Sequence, residues 1–457
     1  MTDKRDLISR RDFASRSMLA AAAVAAGKEV FSPRAAEAAR VLGANDKVVL
    51  ASIGIRGQGD ALKKGFARLP NVEIKTLCDV DENLFASRAN DPALANVPTF
   101  KPGFQQDLRR VLDDKDIDGV LVATPNHWHA LASIWAMQAG KHVFVEKPAS
   151  HTVWEGRQMV NAAQKYGRIV QVGTMNRSRP AVRQAIQFIH EGGIGEVYMA
   201  RGLCFKRRKT IGSALPAQPP AGVEYDIWLG PAPDKPWQEN RFHYNWHWYW
   251  DFGNGDIGNQ GVHEMDIARW GLGKQELPPR VFSSGGHFIY DDNQETPNTQ
   301  TAVFDYDDVQ LVFEVRGLMT GGESGLGEMT SGPNTIGNMF YGSDGYMAVD
   351  VRGFRTYLGE DHKLGPSMDY VEQEQWDTAP HVANFLKAVK SRNHTDLNAD
   401  IEEGHLSAAL VHMANISYRT KRHLQFDPKA EKFVNDAEAN KLLTRNYRAP
   451  YIVPDKV

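Results

Sequence analysis

Lys147 stands between Glu146 and Pro148, at the end of the short apolar run Val143 to Glu146. A lysine at the carboxyl end of a buried strand sits on the rim of a cleft, where burial favours the neutral amine, a competent general base. The competing arrangement is an ion pair between Glu146 and a neighbouring cation, with Lys147 turned to solvent. Asn259 and His263 are four residues apart in a stretch whose helical pattern runs on through Trp270, so they are expected on one helical face. A histidine on such a face is as often structural as catalytic. Just before it, Trp237, Phe242, Tyr244, Trp246, His247, Trp248, Tyr249 and Trp250 crowd together, with Arg241, His243 and Asn245 interleaved. Some of these rings must form a core. Others, above all Trp246, Trp248 and Tyr249, are expected to line a carbohydrate cleft, where aromatic faces stack on pyranose C–H groups and polar groups bind hydroxyls.

The elements that must position these groups follow from the hydrophobic pattern. Short apolar runs at Val48 to Ala51, Val72 to Cys78, Gly119 to Ala123, Val143 to Glu146 and Ile169 to Val172 alternate with helical stretches. The helices are expected near Asp60 to Leu69, Phe104 to Leu112, Ala130 to Ala139 and Val153 to Tyr166. This alternation predicts a doubly wound parallel sheet. After about Met175 a helix from Arg183 to His190 leads into longer strand-like runs: Val197 to Cys204, Val281 to Tyr290, Thr299 to Phe304, Val309 to Arg316 and Tyr346 to Val351. Helical patterns return at His381 to Ser391 and Glu402 to Tyr418. The second part is therefore expected to be α+β, with a large, mostly antiparallel open sheet covered by helices on one face.

The first strand of a parallel sheet leads into the turn where nucleotides bind. Here that turn is Ser52-Ile53-Gly54-Ile55-Arg56-Gly57, in which serine replaces the first glycine of a Gly-x-Gly-x-x-Gly loop. Gly54 and Gly57 remain where the backbone must approach a pyrophosphate and where helix packs on strand. Asp79 ends the second strand, where a carboxylate accepts hydrogen bonds from ribose hydroxyls and repels a 2′-phosphate; a helix N-cap is the alternative role. NAD is expected over NADP, although Arg56 and Arg88 could soften that preference.

The 457 residues suffice for two domains, and 42% apolar and 24% charged residues describe an ordinary globular chain. A net charge of −3 without a long basic run argues against a nucleic-acid surface. Two cysteines are too few for a disulfide framework. His127 with His129, or His243 with His247, have ligand-like spacing, but no thiolates or carboxylates complete a set, so no metal is expected. At the N-terminus, Ser9-Arg10-Arg11-Asp12-Phe13 precedes the small apolar run Met18 to Ala26 and the cleavage-like Ala36-Glu37-Ala38. That pattern reads as a twin-arginine signal for export of an already folded protein, over residues 1–38, and implies a periplasmic or otherwise exported location without membrane insertion. A basic N-terminal tail is the alternative. Because no dehydrogenase pool outside the cytoplasm would recycle a released cofactor, an exported enzyme of this kind is expected to retain its cofactor through the cycle.

Ala123-Thr124-Pro125-Asn126-His127-Trp128-His129, then Glu146-Lys147-Pro148, then His263-Glu264-Met265-Asp266, resemble the Gfo/Idh/MocA oxidoreductases in order and spacing. The resemblance spans nearly the whole chain after residue 38. Ala399 to His405 and the tail Phe426 to Pro450 resemble a subgroup that often carries twin-arginine signals, within a family that includes glucose–fructose oxidoreductase and NAD-dependent glycosidases. It implies an NAD-binding domain over residues 45–175, a substrate-binding α+β domain over 176–425, a tail over 426–457 packed on it, and a homodimer or homotetramer. It implies cofactor contacts at Ser52, Gly54, Ile55, Arg56, Gly57, Asp79, Thr124, Pro125, Asn126, His129, Glu146, Lys147 and Asn176. Lys147 and His263 become the expected catalytic pair, with Asn259, Asp256, Trp246, Trp248, Tyr249 and Arg177 about the substrate. In sugar-oxidising members such as inositol dehydrogenases an aspartate matches Asn259. An amide can hold hydroxyls but cannot accept a proton, so Asp256 or Asp266 is expected to supply the missing carboxylate. The implied reaction is hydride transfer from a secondary alcohol of a sugar or glycoside. Two alternatives are a redox-neutral glycosidase or lyase, needing a second base such as His263, His243 or Tyr249, and a sugar-binding protein without catalysis.

Overall fold

The computed structural model describes residues 46–320, 334–368 and 378–457; the expected signal over residues 1–38 lies outside them. Val48–Ile53 (β1), Gly119–Val122 (β4) and His142–Val145 (β5) are buried along their whole length. Such runs suit a sheet covered on both faces. With Val72–Cys78 (β2), Gly103–Gln105 (β3) and Val170–Val172 (β6) they form a six-stranded sheet in the order β3-β2-β1-β4-β5-β6. Every pair is parallel. The chain leaves β1 toward β2 and β3 and returns on its other side as β4. The carboxyl ends of β1 and β4 therefore flank a topological switch point, where a crevice opens.

Helices Gln58–Ala67 (α1), Leu108–Asp113 (α2), Asn126–Gln138 (α3) and Val153–Tyr166 (α4) provide the crossovers. The helix expected over Phe104 to Leu112 is instead two elements. Phe104 pairs with Leu77 in β3, and α2 starts only after Asp107, whose carboxylate caps the Arg109 N–H. Asp107 thus sets the helix start that periodicity alone places too early.

After Pro180–His190 (α5), Val197–Phe205 (β7) opens a ten-stranded sheet. It also contains Arg280–Gly286 (β8), Thr299–Asp305 (β9), Gln310–Arg316 (β10), Thr335–Gly342 (β11), Gly345–Val349 (β12), Phe354–Leu358 (β13), Lys363–Met368 (β14), Leu424–Asp427 (β15) and Lys432–Phe433 (β16). β7 and β10 pair in parallel and the other pairs are antiparallel. Alternate residues of β10 (Leu311, Phe313, Val315) are buried against helix Gly261–Gly271 (α7), as a half-covered sheet requires. Contact there is close: a Cβ on Gly261 would lie 2.4 Å from the Phe313 ring. This fixes the height of α7 over the sheet, and with it the residues at its start.

Two later helices tie the halves together. Ala379–Ser391 (α8) sets Val382, Phe385 and Leu386 against Leu62 and Phe66 of α1, with Phe66 and Phe385 edge to face at 5.8 Å. Each such side chain contributes about 1.5–3 kcal/mol on burial. Ile401–Thr420 (α9) begins at the Asp400 cap and places Ile401 and Ala408 in the nucleotide-side core, Leu410 and Met413 in the other. The tail returns to the first half, where Tyr451 and Val453 pack among the residues of α3. Among the described residues, no helix is long and apolar enough to cross a membrane.

Candidate active site

The crevice at the switch point is built first from glycine. Gly54 adopts φ 81°, and a Cβ there would lie 2.6 Å from the Ala123 carbonyl oxygen. A Cβ on Gly59 would meet the Gly54 carbonyl oxygen at 1.8 Å, so α1 packs directly on the loop. Gly59 takes the close helix-packing position and was not singled out in the sequence. Gly57, at φ 48°, precedes α1 with open space beside it, and no side chain caps that helix. Nor does any side chain cap α3, which starts behind Pro125. Two uncapped helix starts facing one crevice suit a pyrophosphate. Thr124 adds a buried hydroxyl with no partner.

Asp79 closes the loop from β2: its carboxylate accepts the Ile55 N–H at 2.9 Å and the Asp81 N–H at 3.1 Å. Burial, partly offset by these bonds, raises its pKa to about 6. Gly54, Arg56, Gly57, Asp79, Thr124, Pro125, Asn126, His129, Glu146 and Lys147 all line the cleft. Ile55 points into the core and offers only backbone, while Ser52 is buried in β1 with its hydroxyl unpartnered. Asn176 is also buried, its side-chain oxygen accepting Arg179 Nε at 3.0 Å, and does not line the cleft.

At the other end, Lys147 Nζ donates to the main-chain oxygen of Asn259 at 2.6 Å. Burial pulls the Lys147 pKa below its ordinary value, against the carboxyl groups of Glu146 and Glu264. Glu146 is not paired with a separate cation: it accepts Gln58 Nε2 at 3.0 Å and the Lys147 N–H at 3.2 Å. The Lys147–Pro148 peptide is cis. Both ring nitrogens of His129 face carbonyl oxygens, of Pro148 at 2.7 Å and Thr124 at 2.8 Å, which orients the ring and leaves it no free nitrogen.

The expected shared helical face is broken. Asn259 ends the short helix Gly255–Asn259 (α6), Gln260 intervenes at φ −104°, and His263 belongs to α7. Asn259 lines the cleft, whereas His263 does not. Its Nδ1 is buried without a partner, and burial, with Lys147 nearby, drives its pKa far down. Neither expected carboxylate is free. Asp256 is gripped by Arg208 at 2.6 and 2.9 Å, and Asp266 by Arg177 at 2.8 Å and by Ser407. The acids that act on Lys147 are instead Glu146 and Glu264, the latter raised by burial to about 8.

The remaining substrate expectations divide. Arg177 is a structural cation: it pairs with Asp266 and Glu403 and stacks 5.1 Å over Trp270. Trp248 is buried beneath Arg208, and Tyr249 packs in a cluster with Trp228, Phe242 and Phe252. Both lie outside the lining; Trp246 is in it, together with Trp228, Phe242, His243, Tyr244 and His247, which motif reading did not assign to the cofactor cleft.

Residues 51–174 match the family model of the Gfo/Idh/MocA oxidoreductases for their NAD-binding Rossmann fold. Residues 197–313 and 355–453 match the model for the family's C-terminal alpha/beta domain. The chain belongs to the Gfo/Idh/MocA oxidoreductase family. A levoglucosan dehydrogenase of Pseudarthrobacter phenanthrenivorans is 26% identical over 61% of this chain and 72% of its own length. A glycosyl hydrolase family 109 protein of Shewanella pealeana is 32% identical, over only 33% of this chain and 34% of its own length. Among solved structures, a levoglucosan dehydrogenase complex with NADH and levoglucosan superposes with a TM-score of 0.63 at 19% identity, covering 83% of this chain and 99% of that one. GenD2 from gentamicin A biosynthesis, in complex with NAD, gives 0.63 at 16%, over 85% and 99%.

In this Gfo/Idh/MocA chain a strap from the second half closes over the β2 end of the cofactor cleft. The Glu82 N–H donates to the Gly222 carbonyl at 3.0 Å and the Glu224 N–H to the Val80 carbonyl at 2.9 Å. Asn83 Nδ2 reaches the Ala221 carbonyl at 3.0 Å, and Gln106 Nε2 bridges Val80 and Gly222. His243 Nε2 meets the Asp81 carboxylate at 2.9 Å. The residues present thus fit the family's dinucleotide: glycine turn, uncapped helices, the Asp79 acid, and walls from both halves.

Proposed function

We propose that this protein oxidises a secondary alcohol of a sugar or glycoside with NAD, and that NAD stays bound through the catalytic cycle. The observation that carries the reading is Lys147, half-buried at the cofactor cleft with a lowered pKa and its Nζ held on the Asn259 carbonyl. Bound oxidised nicotinamide supplies a hydride acceptor for a carbinol C–H. Lys147 takes the hydroxyl proton: the O–H bond breaks, an N–H bond forms, and the oxygen becomes a carbonyl oxygen. Glu264, whose carboxyl burial keeps largely protonated, lies close enough to influence the charge of that lysine. Trp246 and the Asn259 amide orient the sugar. Levoglucosan dehydrogenase among the relatives supports a carbohydrate substrate.

Retention rests on the strap, since a dinucleotide under it leaves only when several hydrogen bonds between residues 80–83 and 221–243 open. Asp79 favours NAD over NADP by its negative charge near the ribose site. The proposal extends to export by the twin-arginine segment and to assembly as a homodimer or homotetramer. Redox-neutral cleavage is a second reading, supported by the glycosyl hydrolase relatives, and it needs a second base in the same cleft.

The test is to purify the protein without added cofactor, denature it, and look for NAD. The folded protein is then offered a panel including levoglucosan and methyl glycosides while absorbance is followed at 340 nm. Bound NAD and a rise with at least one sugar are expected. No response to any sugar refutes the dehydrogenase reading, and absence of released NAD refutes retention. Replacing Arg10 and Arg11 by lysine should keep the protein in the cytoplasm; unchanged export refutes that part.

A further inference from the structure

His247 sits in the second-domain wall of the cleft, in the same lining as Lys147 and Asn259. Its ring lies flat on Trp246, with centroids 3.6 Å apart and planes 19° apart, so its orientation is fixed by stacking. Its Nδ1 is 2.5 Å from the Tyr244 carbonyl oxygen. A carbonyl accepts only, so Nδ1 must carry the proton, and Nε2 carries the lone pair. Nε2 makes no hydrogen bond among the described residues, and it is not one of the buried orphaned atoms. It is the ring nitrogen left to the cleft.

The other candidates for a second base are occupied or misplaced. His243 is engaged by Asp81, and His129 has both nitrogens against carbonyls. His263 is outside the lining. Tyr249 is buried with its hydroxyl toward Asn240, and burial raises it to about 12.

We propose that His247 Nε2 is a second catalytic base in this cleft, which removes a carbon-bound proton next to the carbonyl formed from the sugar alcohol. The inference rests on the dehydrogenase reading above, which supplies that carbonyl and, as its oxidant, the nicotinamide. In the step itself nothing is oxidised or reduced. The C–H bond breaks, an N–H bond forms at Nε2, and the electron pair moves onto the carbonyl oxygen as an enediolate, which a Lys147 ammonium is placed to receive. Return of a solvent proton to that carbon exchanges its hydrogen; alternatively the enediolate pair re-forms the carbonyl, a C=C bond forms to the next carbon, and that carbon's C–O bond breaks with its electron pair on the leaving oxygen, which takes the proton from Nε2. Burial, with the charges of Lys147 and Arg208, holds His247 at about 3, so its Nε2 is unprotonated at physiological pH, and it becomes a strong enough base only as negative charge develops beside it. The developing oxyanion then stabilises the imidazolium, as an opposite charge does for any base.

The 2-, 3- and 4-keto derivatives of methyl β-glucopyranoside, incubated with the protein in D2O, test this without hydride transfer. Deuterium at the carbon beside the ketone is read by NMR. The wild type should accelerate exchange in at least one isomer over buffer. His247→Asn keeps a donor for the Tyr244 carbonyl but loses the base, and His247→Phe keeps the stack on Trp246. Each folded variant, checked by its melting temperature, should exchange at least ~100-fold more slowly. Variants exchanging as fast as the wild type, or a wild type no faster than buffer with all three ketones, overturn the proposal. Failure of the dehydrogenase reading shows separately, as no 340 nm response of the wild type to any sugar.

Discussion

Replacing Lys147 by methionine separates its chemical role from its structural one. Methionine keeps most of the apolar stem and removes the amine. A positioned general base contributes on the order of 10²–10⁴ in rate, or about 3–5 kcal/mol of transition-state stabilisation. The effect on folding is a contest. The Asn259 carbonyl loses its 2.6 Å donor, which costs roughly 1–3 kcal/mol for a buried acceptor. Against that, the variant no longer buries an amine whose charged form the site disfavours. These terms are of similar size, so stability should change by no more than about 1–2 kcal/mol. The expected result is a loss of at least ~100-fold in single-turnover formation of reduced nicotinamide, with NAD still bound and a melting temperature near that of the wild type. In the wild type, kcat/KM should climb as pH rises and level off below 10.5, the ordinary lysine value, because burial lowers this pKa and only the neutral amine accepts a proton. A variant with bound NAD and less than a tenfold loss would refute Lys147 as the base.

Three further outcomes follow from the cleft and its supports. Asp81→Ala removes both the His243 contact and the cap on the Asn83 N–H, worth about 1–3 kcal/mol together, so NAD should dissociate roughly 5–150 times faster in a stopped-flow exchange; an unchanged rate would count against the strap. Asp79→Ala should weaken NAD and raise the NADP-to-NAD affinity ratio at least ~10-fold by titration, since it removes the charge that opposes a 2′-phosphate. Glu431 gives the acid limb of stability: burial alone would raise it, but hydrogen bonds from His405 and Arg157 hold its carboxyl at about 2. Its stabilisation is full above the usual 4.5 and is lost as pH falls toward 2, and Glu431→Gln should remove roughly 2–3 kcal/mol at pH 7 and flatten that limb in urea titrations.

The nucleotide-binding half is legible because its signals are local. Strands buried on both faces must be apolar throughout, and β1, β4 and β5 are; the glycine turn and Asp79 follow at fixed offsets along the same chain. The second half is less so. β11 was not expected, because Gly337 and Asn338 interrupt its apolar run; yet Asn338 is fully buried, with Nδ2 donating to the Glu264 carbonyl at 2.7 Å. A polar residue in a strand centre is intelligible only once its partner on α7 is known. The aromatic run shows the same limit. Trp246 in the lining and Trp248 beneath Arg208 are two residues apart and of one type, and a 3-10 turn over Asn245–Trp248 decides which faces the cleft.

Asn259 shows most clearly why side-chain reading falls short at the reacting end. As an amide in place of a carboxylate, it raises the question of where the lost acid has gone, and Asp256 and Asp266 are the natural candidates by proximity in the chain. Both are consumed by arginines. What Asn259 gives Lys147 is its main-chain oxygen, a contact that any residue type could make, so nothing in its identity announces it. The geometry comes instead from the break at Gln260, which ends α6 and leaves that carbonyl open, and from the close seat of Gly261 on Phe313, which fixes where the break occurs. The same break carries His263 out of the cleft lining and leaves Glu264 near the lysine. A one-residue irregularity between two short helices therefore leaves Asn259 in the cleft lining and His263 outside it, and that placement is tertiary: it depends on a phenylalanine in β10, more than fifty residues away in the chain.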